Sequence, residues 1–318
     1  MKKRKADRVV VALGGNTITS PEGAGTVEED LDNLRHSLPA LSVLLDRGYE
    51  VVLTHGNGPQ IGNMMLRTEL GRGQAPDLPL WLQVADVQGG LGYLMQSVLG
   101  AELQRRQSDS VACTLITTVE VDAEDPAFNR PTKFVGPVLA PDVAERRRGE
   151  GWGVARDSGR GWRRVVPSPQ PIRIVESQVI RALLDTGALV ICCGGGGVPV
   201  RRRENGEYEG VDGVIDKDLA SSVLGREIGA STLIMLTGVE RVQTAFGSPE
   251  AKGLATLTVA RARDLLASGE FPPGSMGPKI EAACRFIEEG GQAALIGSLG
   301  QLQRALDGHS GTWIVSTP

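Results

Sequence analysis

Aliphatic and β-branched residues gather in short runs at 9–13, 51–54, 111–116, 188–193, 232–236 and 293–296. Most of these runs lack the alternation of a strand with one wet face, which predicts strands buried on both faces of a parallel sheet. Between them the period changes. Val27, Leu31, Leu34, Leu38, Leu41 and Leu45 step by three or four, predicting an amphipathic helix that stops near Gly48. Pro39 lacks a backbone N–H and collides with the preceding turn, so it should kink or shorten that helix. Ile280, Ala283, Cys284 and Ile287 form a second stripe of the same kind. Apolar strands alternating with helices predict an α/β fold with the sheet covered on both sides. Ligands then bind where loops leave the carboxyl ends of the strands.

The alternation breaks between about residues 120 and 171, a stretch rich in Pro, Gly, Arg and Trp. A structureless loop of that length is improbable in a compact domain, so it predicts a small lobe or lid inserted into one domain spanning residues 1–318. The Arg146-Arg147-Arg148 and Arg201-Arg202-Arg203 runs read as solvated faces. No stretch reaches the roughly 20 apolar residues of a membrane-spanning helix. Met1-Lys2-Lys3-Arg4-Lys5 opens like a signal peptide, but the apolar run behind it is short and ends in glycines. It reads as a basic tail before the first strand.

Charge and cysteine usage narrow the class further. The 34 basic and 38 acidic side chains mostly alternate, for a formal net charge of -4, the pattern of an ordinary soluble surface with nothing pointing to nucleic acid or membrane. Cys113, Cys192, Cys193 and Cys284 show neither C-x-x-C spacing nor a disulfide framework. They read as reduced thiols in a cytoplasmic protein with no metal site.

Candidate chemistry sits at the strand exits. Leu13-Gly14-Gly15-Asn16 follows the first run, His55-Gly56-Asn57-Gly58-Pro59 the second, and Gly194 to Gly197 the fourth. Residues without Cβ let backbone N–H groups face an anion, and several such exits in one sheet point to a phosphate or carboxylate site. Neither a G-x-x-x-x-G-K-[ST] loop nor a strand-bound G-x-G-x-x-G with a downstream acid is present, which removes the main support for P-loop and dehydrogenase readings. Lys133, Lys217 and Lys279 stand apart from the solvated lysines by their neighbours. Lys217 lies between Asp216 and Asp218, and Lys279 follows a Gly/Ser/Pro stretch opening a helix, where free N–H groups already favour phosphate. His55 reads as a hydrogen-bonded structural histidine, and Trp152, Trp162 and Tyr93 as packing groups.

Taken together, Ala12-Leu13-Gly14-Gly15-Asn16, Thr54-His55-Gly56-Asn57-Gly58-Pro59-Gln60, Asp125-Pro126-Ala127-Phe128, Arg163-Arg164-Val165-Val166-Pro167-Ser168-Pro169, Ile215-Asp216-Lys217-Asp218-Leu219-Ala220 and Gly274-Ser275-Met276-Gly277-Pro278-Lys279 resemble carbamate kinase, a branch of the amino acid kinase superfamily. The match covers nearly the whole chain in order. The resemblance implies a three-layer αβα sandwich around a mostly parallel sheet with a small protruding subdomain, a homodimer, and reversible phosphoryl transfer between ATP and carbamate. In relatives acting on larger acids the first strand ends Lys-x-Gly-Gly; Ala12 stands at that lysine position, and the resemblance looks to Lys133 instead.

By the same resemblance, Gly14, Gly15, Asn16, Gly56, Asn57 and Gly58 hold carbamate and the moving phosphoryl group. Lys133, Lys217, Lys279 and Asp216 carry the catalysis. The nucleotide, ATP or ADP with its Mg²⁺, lies against Lys217, Thr237, Gly247, Ser275, Met276 and Lys279, and no protein metal ligand is assigned. The chain departs from the family pattern at Gly238, where Asp is usual, in Gln243-Thr244-Ala245-Phe246, where Tyr and Asn are usual, and at Val87, where Ser is expected. Another carboxylate kinase of the superfamily and a non-catalytic nucleotide-binding relative stay open as alternatives.

Overall fold

The structure is a computed structural model, and it describes residues 7–19, 23, 25–157, 161–272 and 274–317, without the side chain of Asn16. The basic tail at residues 1–5 lies outside this set. Among the described residues the strands are β1 (Arg8–Leu13), β2 (Glu50–His55), β3 (Ala112–Thr114), β4 (Thr118–Val121), β5 (Lys133–Leu139), β6 (Val154–Asp157), β7 (Gly161–Val166), β8 (Pro171–Ile174), β9 (Leu189–Ile191), β10 (Val198–Arg202), β11 (Tyr208–Gly210), β12 (Thr232–Leu236), β13 (Gln243–Thr244), β14 (Lys252–Gly253), β15 (Thr256–Thr258), β16 (Ala293–Gly297) and β17 (Thr312–Val315). The α-helices are α1 (Val27–Ser37), α2 (Ser42–Asp46), α3 (Gly58–Leu70), α4 (Leu80–Arg105), α5 (Pro141–Gly149), α6 (Ser177–Asp185), α7 (Lys217–Ile228), α8 (Val259–Ala267), α9 (Met276–Glu288) and α10 (Leu302–Leu306).

The main sheet has the order β15-β17-β16-β12-β1-β2-β9-β3. Its centre is parallel, and the sense reverses between β16 and β17. Alternate residues of each strand feed two cores. Val10, Ala12, Leu233, Met235 and Ile296 meet α7 and α9 on one face, while Val9, Val11, Leu13, Ile234 and Leu295 meet α1, α3 and α4 on the other. This is the doubly covered α/β sheet that the unalternating runs predicted and the sandwich that the resemblance implied; a strand covered on both sides leaves few positions for polar residues. Arg8, 4% exposed at the start of β1, is tolerated since Glu50 accepts from its Nε at 2.7 Å and Asp185 also pairs with it.

The predicted helix after residue 27 is divided where Pro39 falls. A capping box between Thr26 and Glu29 opens α1, a 3₁₀ turn over Leu38–Leu41 interrupts it, and α2 continues to Asp46. Gly48 then turns the chain at φ +77°. Strand β3 is shorter than its apolar run because it forms the edge of the sheet, leaving Val111 and Ile116 exposed. No helix among the described residues is long and apolar enough to cross a membrane.

A second sheet, β11-β10-β4-β8, lies beside the main one, and a third, β5-β7-β6, is antiparallel and carries α5. In this third unit the arginines and tryptophans stack. Arg147 and Arg164 lie 4.7 and 4.0 Å from the Trp152 ring centroid, and Arg148 lies 4.3 Å from that of Trp162. The Arg146 to Arg148 run is therefore not simply solvated, since Arg147 also pairs with Glu69 of α3. Tyr93, by contrast, stands exposed on α4 and does not pack as expected.

Candidate active site

Parallel strands leave the main sheet on one edge, so their exits converge there. Gly14 N donates to Leu236 O at 2.9 Å and Gly56 N to Leu13 O at 3.1 Å, which ties the turns after β1, β2 and β12 together. The turns must be glycine-built. A Cβ on Gly56 would sit 3.2 Å from Gly15 N, and one on Gly195, whose φ is +64°, would fall 2.0 Å from Asn57 Nδ2. Asn57 is 3% exposed, and among the described residues its Nδ2 donor has no partner. A buried amide donor at a polar cleft suits an acceptor such as a carboxylate or phosphate oxygen.

The exits open into a cleft of about 960 Å³ lined by Gly14, Gly15, Gly56, Asn57 and Gly58 at one end and Thr237, Ser275 and Met276 at the other. Lys133, Lys217, Lys279 and Asp216 line it as well. The structure therefore brings together the predicted residues that it describes, with one exception. Gly247 does not line the cleft: it lies in an exposed turn at φ +83°, and its neighbour Phe246 reaches the rim instead. The Asn16 side chain lies outside the described residues.

The charges are arranged by helix starts. Asp216 is the N-cap of α7, and its Oδ1 accepts from the backbone N–H of Asp218 at 2.9 Å and of Leu219 at 3.4 Å. Its Oδ2 accepts from Lys133 Nζ at 2.6 Å, across 83 positions of sequence. Asp218, one step into the first turn, accepts from Lys217 Nζ at 2.5 Å on one oxygen and from Lys279 Nζ at 2.6 Å on the other. Lys279 comes from the first turn of α9, so ammonium groups from the first turns of two helices meet on one carboxylate. Of the three lysines, Asp216 pairs with Lys133, while Lys217 and Lys279 pair with Asp218. Asp216 has one oxygen committed to capping α7, and the carboxylate that meets the lysine of α9 is that of Asp218.

Burial and pairing compete at each group. For Lys217, burial outweighs the attraction of Asp218 and brings the ammonium down to about 8. For Lys279, burial works in the same direction, yet Asp218 more than compensates and its pKa stays above the ordinary lysine value. Burial would raise the Asp218 carboxyl, but Lys217 and Lys279 together hold it well below the carboxylate range. Burial likewise opposes ionisation of Asp216, and Lys133 leads the groups that keep it below its ordinary value. His55 does not line the cleft. It is buried behind Gly194, and burial lowers it to about 4, so it is neutral at pH 7.

Two residues of the site escaped sequence reasoning. Asp218 was visible only as a neighbour of Lys217; its spacing of two from an N-cap aspartate was the available signal. Arg163 also lines the cleft, and nothing in the Arg163-Arg164 pair marks which guanidinium turns inward.

The amino acid kinase family matches this chain over residues 7–298. A carbamate kinase of Pyrococcus furiosus is 44% identical over 311 residues, covering 97% of this chain and 99% of its own. Among solved structures, a carbamate kinase from Giardia lamblia bound to citric acid superposes with a TM-score of 0.92 at 37% identity, over 98% of this chain and 99% of its own. A carbamate kinase from Giardia lamblia bound to AMP-PNP superposes at 0.89, also with 37% identity and the same coverage. The chain belongs to the amino acid kinase family and, within it, to the carbamate kinases, and is thus a kinase.

Proposed function

We propose that this chain transfers a phosphoryl group reversibly between ATP and carbamate, with ADP and carbamoyl phosphate as the other pair. The observation that carries the reading is the meeting of Lys133, Lys217 and Lys279 at glycine-lined strand exits. Both substrates are anions, and two unit charges about 4 Å apart repel by up to roughly 4 kcal/mol at an effective dielectric near 20. Fixed cations and backbone N–H groups offset that repulsion and stabilise the charge spread over the moving phosphoryl group.

In the direction of ATP formation, a terminal phosphate oxygen of ADP attacks the phosphorus of carbamoyl phosphate. The new P–O bond forms as the carbamoyl–oxygen bond to phosphorus breaks, and carbamate leaves with the electron pair. Neither oxygen carries a proton at neutral pH, so no general base is needed. Gly14, Gly15, Gly56, Asn57 and Gly58 hold the carbamate end, while Lys217 and Lys279 face the nucleotide phosphates from the main domain. Lys133 approaches from the lobe, supplying the charge that Ala12 does not. Mg²⁺ arrives as part of the nucleotide substrate. Asp216 already has one oxygen on helix N–H groups and the other on Lys133, which leaves the metal to the phosphates. We extend the proposal to a cytoplasmic homodimer, the arrangement that the family reading implies.

The test is ATP formation from ADP and carbamoyl phosphate by the purified chain, followed by a coupled assay. ATP accumulating in step with carbamoyl phosphate consumed is expected. Phosphorylation of acetylglutamate but not carbamate, or ADP binding without turnover, would overturn the reading.

A further inference from the structure

Lys133 reaches the cleft from the β5-β7-β6 sheet, and it is half-buried rather than buried. Its place depends on how β5 is held. Pairing of β5 with β7 runs regularly from Lys133↔Val166 to Val135↔Arg164, then resumes at Leu139↔Trp162, so β5 advances four residues while β7 advances two. The excess is a bulge that begins at Gly136, where φ is +73°. The bulge is seated on α3, whose amino end frames the carbamate side of the cleft. A Cβ on Gly62 of α3 would fall 2.1 Å from the Gly136 Cα, so the two backbones touch where no side chain fits.

A bulge frees a carbonyl from the strand ladder, and a buried carbonyl without a donor is costly. Arg163 supplies the donors. Its Nε and Nη2 donate to Gly136 O at 3.1 and 2.9 Å, and its Nη1 donates to Asp157 Oδ2 at 2.9 Å. The guanidinium also lies 5.7 Å from the Phe134 ring centroid. One planar fork on β7 thus ties the β5 bulge to β6, with Lys133 three residues before the clamped carbonyl. A lysine ammonium has no fixed fork with which to hold that geometry.

We propose that Arg163 is a positioning residue for Lys133: by clamping the Gly136 bulge against Gly62 of α3, it fixes the strand that aims the Lys133 ammonium into the cleft. This rests on the reading of Lys133 given above. Three nitrogens of Arg163 are already engaged by protein acceptors, which assigns it to bracing the strand. Its effect on turnover therefore passes through Lys133.

The experiment is a double-mutant cycle in the full-length protein, reading ATP formation from ADP and carbamoyl phosphate at saturation. Arg163→Met should lower kcat by about 10- to 100-fold, the usual consequence of an ångström-scale misplacement, and Arg163→Lys should not restore it. The KM for ADP should stay within about twofold, because a strand misaimed at the reacting group does not remove uniform binding. In a Lys133→Ala background the same Arg163→Met change should cost less than about twofold. Equal losses in both backgrounds, or a wild-type kcat in Arg163→Met, would overturn the proposal. If Arg163→Met does not fold, Asp157→Asn, which loosens one arm of the clamp, takes its place. A loss of about 3- to 10-fold that vanishes without Lys133 is then expected, and one that persists sinks the idea. Wild-type turnover in Lys133→Ala would instead remove the reading of Lys133 itself, and the positioning role with it.

Discussion

The cleft takes its cations from two regions built on opposite principles. On the side of the main sheet, Lys217 and Lys279 are 10% and 11% exposed and share Asp218, itself 6% exposed, within helices packed on an aliphatic sheet. On the side of the β5-β7-β6 sheet, Lys133 is 32% exposed and pairs with an aspartate 16% exposed. That sheet joins the core through Val135 and Val166, and guanidinium–tryptophan stacks and ion pairs hold the rest of it. The difference teaches how one site obtains two kinds of charge. Dense packing around Asp218 fixes two ammonium groups before any substrate arrives, as electrostatic preorganisation requires. Stacks worth about 0.5–2 kcal/mol each brace the sheet that carries Lys133.

The sharpest break of that contrast is Asp218→Asn. It removes the carboxylate that both buried ammonium groups touch, and breaking such a pair costs about 3–5 kcal/mol. Urea unfolding should show a loss in that range, limited where Lys217 sheds its proton as the cheaper relief. ATP formation should fall with it. Unchanged stability would mean that the main-domain charges are no more tightly set than the lobe's.

Next comes pH. With Lys217 near 8 in the free protein, kcat/KM for ADP should fall as pH rises through about 8, up to tenfold per unit, as the ammonium is lost. Bound phosphates favour the charged form, so the corresponding limb of kcat should lie at higher pH. For folding the sign is opposite. Between about 8 and the ordinary lysine value of 10.5 the unfolded chain binds more protons, so this group adds stability as pH rises through that window and opposes folding below it. A limb at the same pH in kcat and kcat/KM would contradict the placement of Lys217 beside the phosphates.

The smallest effect is expected from Trp152→Ala, which removes the ring between Arg147 and Arg164 and should cost about 1–2 kcal/mol locally. Hydrogen exchange should quicken in β5, β6 and β7 while β1 and β12 keep their protection. Equal loss of protection in both sheets would show one cooperative unit and erase the distinction between the regions.

The same division decided what could be read from sequence. Strands buried on both faces announce themselves as unalternating aliphatic runs, and the glycines after β1, β2 and β9 mark the edge where ligands bind, so the sandwich and the glycine end of the cleft were legible. Helix α4 buries one face, from Leu80 through Val84, Leu91 and Met95 to Leu103, but Gln83, Gln88 and Glu102 lie on that face and Tyr93 on the exposed one, so the chain shows no clean apolar stripe there. The β5 bulge, the Arg163 clamp and the Arg–Trp stacks depend on contacts between polar residues that leave no period in the chain. Asp218 was hidden differently. Next to Lys217 it looked like local charge pairing, and only the arrival of α9 made it the counter-ion of two lysines. Gly247, a motif position carried from the resemblance, is not among the residues lining the cleft, whereas its neighbour Phe246 is.

The central claim is that buried ammonium groups neutralise charge developing on the phosphoryl group, and Lys217→Ala tests it most directly. The measurement is single-turnover phosphoryl transfer from carbamoyl phosphate to ADP with both substrates saturating, alongside a check that the variant keeps its fold. The account predicts a transfer rate lower by about 10²- to 10³-fold that saturation does not restore. A folded variant transferring at the wild-type rate once its substrates are bound would contradict it.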